Sequence, residues 1–290
     1  MATGGHSQGK RGAGGPFGRA SWRTGLAVAT ACAFLLMTPT AETAVGLAAR
    51  VATATTLSAH DPGAGIPASA RVFAGTPAVG ALFTVGGGGL GRHFCTASVV
   101  DSPGGDLVIT AAHCVTGRAP GTLVFVPGYH SGREPYGIWP VKQVIADSDW
   151  LNSGNPDHDV AFLVVHQPGN AQQVQNLTGA ERLGIGWRSR VWVHVIGYPN
   201  ATEQPVTCAN ETKRFRAHEM EFDCGGYTDG TSGGPFLARV GSAGTGTVIG
   251  VIGGYEQGGY LPAISYSPRF GTAVENLYRT AVSIAGSPSG

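Results

Sequence analysis

Charge is scarce in this sequence. Of 290 residues, 19 are Lys or Arg and 18 are Asp or Glu, together 13% of the chain, about half the usual share in globular domains. Four of the cations, Lys10, Arg11, Arg19 and Arg23, fall within residues 1–41, which hold no acid. Residues 42–290 are left with 15 basic and 18 acidic groups. That balance excludes a basic nucleic-acid binder, because no surplus of cations remains to neutralise phosphates. Nor does the N-terminal apolar run reach membrane-spanning length. LAVATACAFLLM at 26–37 has 12 residues, where a transmembrane helix takes about 20. Cysteine is sparse too, at five. Low charge with 47 glycines could describe a disordered chain, but 42% hydrophobic residues in short β-branched runs exclude that reading.

What is present begins with an export signal. A Gly-rich basic stretch, the 12-residue apolar run and the small residues after it predict a secretory signal peptide over 1–41, with an uncertain cleavage point. Residues 42–71 are Ala/Thr/Gly-rich and read as a propeptide or linker, ahead of a folded domain at 72–290. The expected product is a secreted, extracellular monomer with no stable membrane association once the signal is removed. Cys32 leaves with the signal, and Cys95, Cys114, Cys208 and Cys224 remain. Four cysteines allow three disulfide pairings. The sequence-local one, Cys95 with Cys114 and Cys208 with Cys224, would add about 3 kcal/mol per bridge. Zinc is the alternative, but the spacings are not those that bring two thiolates to one metal. No metal or cofactor is expected.

From residue 71 the chain reads as strands and turns. Apolar runs at 82–85, 94–100, 107–110, 123–126, 141–145, 160–165, 191–196, 248–252 and 264–266 alternate with Gly/Pro/Ser/Asn clusters. This pattern predicts an all-β sandwich or barrel. Only 272–284 has helical periodicity, with Val274, Leu277, Tyr278 and Ala281 at three- and four-residue steps.

Three motifs carry chemistry: TAAHC at 110–114, DVAFL at 159–163 and GTSGGPF at 230–236. Serine is a weak nucleophile until a base takes its proton, and neutral imidazole suits that task near pH 7. The imidazole needs a buried acceptor to fix its tautomer. The tetrahedral oxyanion needs donors, and the backbone N–H groups of Gly230 and Ser232 are suited to supply them. Chain order discriminates between hydrolase folds. GTSGG also satisfies the G-x-S-x-G pattern in which acid and base follow the serine, but no His or Asp follows Ser232.

These blocks, in the order His–Asp–Ser, resemble the signatures of the trypsin-like (chymotrypsin-fold) serine peptidases. RVFAG at 71–75 is similar to the start of a mature peptidase. The resemblance implies two six-stranded antiparallel β-barrels with the site at their seam, near 72–170 and 171–290, and a C-terminal helix. It also implies His113 as general base, Asp159 as its orienting acid and Ser232 as nucleophile, with Asp157 a neighbouring candidate acid. Animal members carry Asp immediately before the nucleophile, to pair with a new N-terminus. Thr231 stands there, so that activation switch should be missing, as in bacterial secreted members including the glutamyl-endopeptidase-like branch. Without an obvious acid or His in the substrate pocket, Gly226, Ile252 and Gly253 imply an open, mostly apolar one. The function implied is a secreted serine endopeptidase acting on protein or peptide substrates. The alternatives are a non-catalytic binding protein on the same fold and an esterase using the same three residues.

Overall fold

The computed structural model describes residues 68–169 and 171–286. The expected signal peptide at 1–41, and the following segment up to residue 67, lie outside the described residues. Among the described residues no helix is long and apolar enough to cross a membrane.

A two-residue strand, β1 (Arg71–Val72), precedes β2 (Val79–Gly86), β3 (Gly89–Val100), β4 (Leu107–Thr110), β5 (Leu123–Pro127), β6 (Trp139–Ala146) and β7 (Ala161–Val165). Strands β2 to β7 close into a barrel in the order β2-β3-β4-β7-β6-β5, with every pair antiparallel. Closure leaves no edge exposed. Every residue of β4, β5 and β7 is buried, so these strands read as unbroken apolar runs rather than alternating ones. Two short helices interrupt the barrel: α1 (Ala112–Val115) after β4, and α2 (Ser148–Ser153) after β6.

The second half holds α3 (Val174–Thr178), β8 (Arg182–Leu183), β9 (Trp192–Gly197), β10 (Val206–Glu211), β11 (Lys213–Arg214), β12 (Glu219–Asp223), β13 (Pro235–Ala238), β14 (Thr247–Val251) and β15 (Ile264–Pro268). A six-stranded sheet runs β1-β10-β9-β13-β14-β8, and a three-stranded sheet runs β11-β12-β15. The departure from the expected six antiparallel strands has a simple origin. The chain crosses from the first barrel at 181–183, and β8 meets β14 in parallel because it arrives as a crossover. Both sheets enclose a separate core that includes Val193, Val195, Met220, Phe222, Phe236 and Ile249. The C-terminal helix, α4 (Thr272–Ala285), lays Val274, Leu277 and Ala281 on the core of the first barrel.

Residues upstream of the expected domain start are woven into the second half. The N–H of Ala70 donates to Gly225 O at 2.7 Å, and that of Gly225 donates to Ala68 O at 2.8 Å. β1, which straddles positions 71 and 72, then pairs with Thr207 and Val206 of β10. The four cysteines form the sequence-local disulfides, Cys95–Cys114 and Cys208–Cys224. No thiolate among them is left for a metal.

Glu181, at the crossing between the halves, is fully buried. Its Oε2 accepts from Gly246 N at 2.5 Å, while Oε1 has no hydrogen-bond partner among the described residues. Burial pushes its pKa up to about 7, with the Gly246 bond opposing. A folded pKa above the unfolded one means that the native state binds the proton more tightly. Stability from this group is therefore full below the ordinary value near 4.5 and is lost as pH rises through about 7. The deprotonated form should cost about 3 kcal/mol at pH 8. Glu181→Gln is expected to melt progressively higher than the parent between pH 5 and pH 8. Thermal melts that differ by a constant amount across that range would exclude this account.

Candidate active site

The TAAHC segment ends β4 and turns directly into α1, so His113 leaves the barrel at a fixed angle, and the Cys95–Cys114 bridge ties the next residue back to β3. Asp159 closes a 3₁₀ turn at 156–158 just before β7 and is fully buried. Both of its carboxylate oxygens are engaged. Oδ1 accepts from His113 N at 2.8 Å, and Oδ2 accepts from His113 Nδ1 at 2.7 Å and from Gly254 N at 2.9 Å. A buried carboxylate without such donors would be costly. With Nδ1 as the donor, Nε2 is the basic nitrogen; it lies 3.7 Å from Cys114 Sγ, a sulfur already committed to the disulfide. Asp157 makes no bond to His113 among the described residues.

Ser232 sits in a turn that the first barrel holds by its backbone. Its carbonyl accepts from Thr96 N at 2.7 Å, and the Gly230 carbonyl accepts from Thr96 Oγ1 at 3.0 Å. Thr231 N–H donates to Thr228 O, Gly233 N–H to Ile252 O and Gly234 N–H to Thr231 O. Among the described residues, the N–H groups of Gly230 and Ser232 have no hydrogen-bond acceptor. Gly230 is held at φ +94°, where a side chain would strike Asn200 N and Tyr198 O. Thr231 is buried and its Oγ1 donates to Thr228 O, so no carboxylate waits there for an N-terminal amine.

His113 and Ser232 line one cleft of about 890 Å³. No hydrogen bond joins them among the described residues, and such bonds often tighten only when substrate is bound. Of the three residues expected in the pocket wall, only Ile252 lines the cleft. Gly226, at φ +100°, packs against Ala70, because the upstream segment occupies the space beside it. Gly253 packs against the carboxylate of Asp159. The lining is also less apolar than expected, since Arg118, Asp229 and Glu256 join Tyr227, Ile252 and Leu261.

The family model described as Trypsin matches residues 70–276. The chain belongs to the trypsin family. Trypsin theta of Drosophila melanogaster is 24% identical over 189 residues, 56% of this chain, and the match spans 66% of that relative's length, just under two thirds. Among solved structures, Protease Anisep from Arthrobacter nicotinovorans is 25% identical with a TM-score of 0.63, over 74% of this chain and 99% of that one. A thermostable serine protease, AL20, from an extremophilic microorganism is 26% identical with a TM-score of 0.61, over 72% and 98%. This trypsin-family chain thus has the chymotrypsin-like double-barrel fold.

Several residues of the site carry no mark in the sequence. Thr96 bridges β3 to both sides of the nucleophile turn and also accepts from Tyr198 N at 2.8 Å. Gly254 reaches Asp159 from 95 positions away. Thr110, whose Oγ1 donates to Thr96 O at 2.8 Å, is the exception, as the first letter of TAAHC.

Proposed function

We propose that this trypsin-family chain is a serine endopeptidase that works through an acyl-enzyme. In this reading Nε2 of His113 takes the proton of Ser232 Oγ as that oxygen bonds to the scissile carbonyl carbon. The carbonyl oxygen becomes an oxyanion facing the N–H groups of Gly230 and Ser232. His113 then protonates the leaving amine, and a water activated by the same imidazole releases the acyl group. Asp159 keeps the ring in the Nδ1–H tautomer throughout. The observation that carries the reading is the buried carboxylate of Asp159, two of whose three donors come from His113. The two unmatched amides beside Ser232 add to it. Two disulfides fit the oxidising exterior that the expected leader implies, and the expected substrates are proteins or peptides.

The test is an organophosphonate probe with peptide and ester substrates in parallel. One label per chain, lost in Ser232→Ala, together with peptide-bond cleavage, is the expected result. A parent that takes no label points instead to a binding protein on this fold. Ester turnover without peptide cleavage points to an esterase.

A further inference from the structure

One residue further along the corner that reaches Asp159 lies a second buried carboxylate that the chemistry above does not use. Glu219 opens β12 and is fully buried. Its Oε1 accepts from Tyr255 N at 2.5 Å. The preceding residue, Gly254, donates its own N–H to Asp159 Oδ2 at 2.9 Å. Two consecutive amides of one corner are thus held by two different buried carboxylates, one belonging to Asp159 and the other to Glu219. Gly254 has φ +78°, and a Cβ there would come within 2.6 Å of Glu219 Oε1, so the corner is closed tightly on this oxygen.

We propose that Glu219 is a positioning residue: it fixes the Gly254–Tyr255 corner, and the corner fixes the carboxylate that orients His113. The inference rests on the roles assigned above to His113, Asp159 and Ser232. A purely structural requirement would be met more cheaply. Glu219 Oε2 has no hydrogen-bond partner among the described residues, and the nearest cation, Arg216 Nη1, stands 3.6 Å away on a half-exposed side chain. Burying a carboxylate so poorly compensated is unfavourable compared with an apolar side chain of similar volume. An apolar residue, however, could not accept from Tyr255 N. Burial pushes the pKa of Glu219 up, the Tyr255 bond opposes this, Asp157 and Asp159 add to the rise, and Arg216 opposes it. With Oε1 on Tyr255 N and Oε2 without a partner, what the corner needs from this group is an acceptor at a set reach.

Three variants separate reach from charge. Glu219→Gln keeps an acceptor at the same length without the charge. Glu219→Asp keeps the charge one methylene short of Tyr255 N, and Glu219→Ala removes both. With turnover normalised to the folded fraction from thermal melts, the Asp and Ala variants are expected to lose about tenfold or more in kcat. Their KM should stay within about threefold, and the Gln variant should recover most of the lost turnover. If the Ala variant does not fold, the contrast of Asp with Gln carries the same information. Asp and Ala variants within about threefold of the parent in kcat, or a Gln variant as slow as the Ala variant, would overturn the positioning role. Phosphonate labelling of Ser232→Ala is run alongside. Its persistence overturns the triad reading instead, so the two failures are distinguishable.

Discussion

Replacing Asp159 by Asn is expected to lower kcat at neutral pH by about 10⁴-fold while leaving a folded protein. The reason is the count of donors. The carboxylate accepts three hydrogen bonds from two directions, His113 N on Oδ1, and His113 Nδ1 with Gly254 N on Oδ2. An amide offers one oxygen and one NH₂, and either placement fails. If the oxygen stays with His113 N, the NH₂ confronts Gly254 N–H and donates to Nδ1. The ring proton must then sit on Nε2, and the imidazole can no longer take a proton from Ser232. If the amide turns over, the tautomer survives, but NH₂ meets the backbone N–H of His113 beside a fully buried side chain, an unmatched pair that destabilises the fold. Each placement keeps two hydrogen bonds and leaves one backbone N–H unmatched, but only the first gives the NH₂ an acceptor, Nδ1, so the wrong tautomer prevails and activity should fall further than stability. Steady-state turnover and a thermal melt on the same preparation check this. A folded Asn variant within tenfold of the parent would remove Asp159 from the proposed chemistry.

The expectations that the sequence supported are those where composition and geometry are local. All nine apolar runs form strands, because each is dense enough in Val, Ile, Leu and Phe to be buried on one face or both. The 272–284 periodicity becomes α4. What stayed hidden is polar where the chain is buried. β12 reads Glu-Met-Glu-Phe-Asp, with no apolar run to mark it, and yet Glu219 is wholly inside. β10 is polar through its second half, and β13 is short and opens on Pro235. At the site, His113 Nδ1 meets Asp159 Oδ2 and His113 shares a cleft with Ser232; these three stand out in the sequence because each proposed role demands its own residue type. The supports do not. Thr96, Gly254 and Glu219 act through contacts 134, 95 and 36 positions distant, and no neighbouring residue signals them. The surroundings of Gly226 are hidden for the same reason, since Ala70, which packs against it, precedes the expected start of the domain.

The tightest of these distant contacts predicts a second large effect, from a single methyl group. Gly233 follows the nucleophile at φ +79°, and a Cβ built there lies 2.1 Å from Thr110 Oγ1 and 2.2 Å from Thr96 O. Those two atoms are hydrogen-bonded to each other at 2.8 Å, so neither can move aside without breaking that bond. Ala in the left-handed region costs about 1–2 kcal/mol, and the broken bond adds about 1 kcal/mol. Relief of the overlap adds to both, so a fall in Tm of about 10 °C or more is expected for Gly233→Ala. The damage is directed at the chemistry. Thr110 lies three residues before His113, and Thr96 holds the carbonyl of Ser232, so the methyl group wedges base and nucleophile apart from between their supports. Displacement on the scale of 1 Å should remove about 10²-fold in turnover per folded molecule. A Gly233→Ala protein that melts like the parent and turns over within about threefold would mean that the first barrel does not grip the nucleophile turn through Thr96 and Thr110. The shared basis of the proposed oxyanion site and of the His113 geometry would then have to be sought elsewhere in the seam.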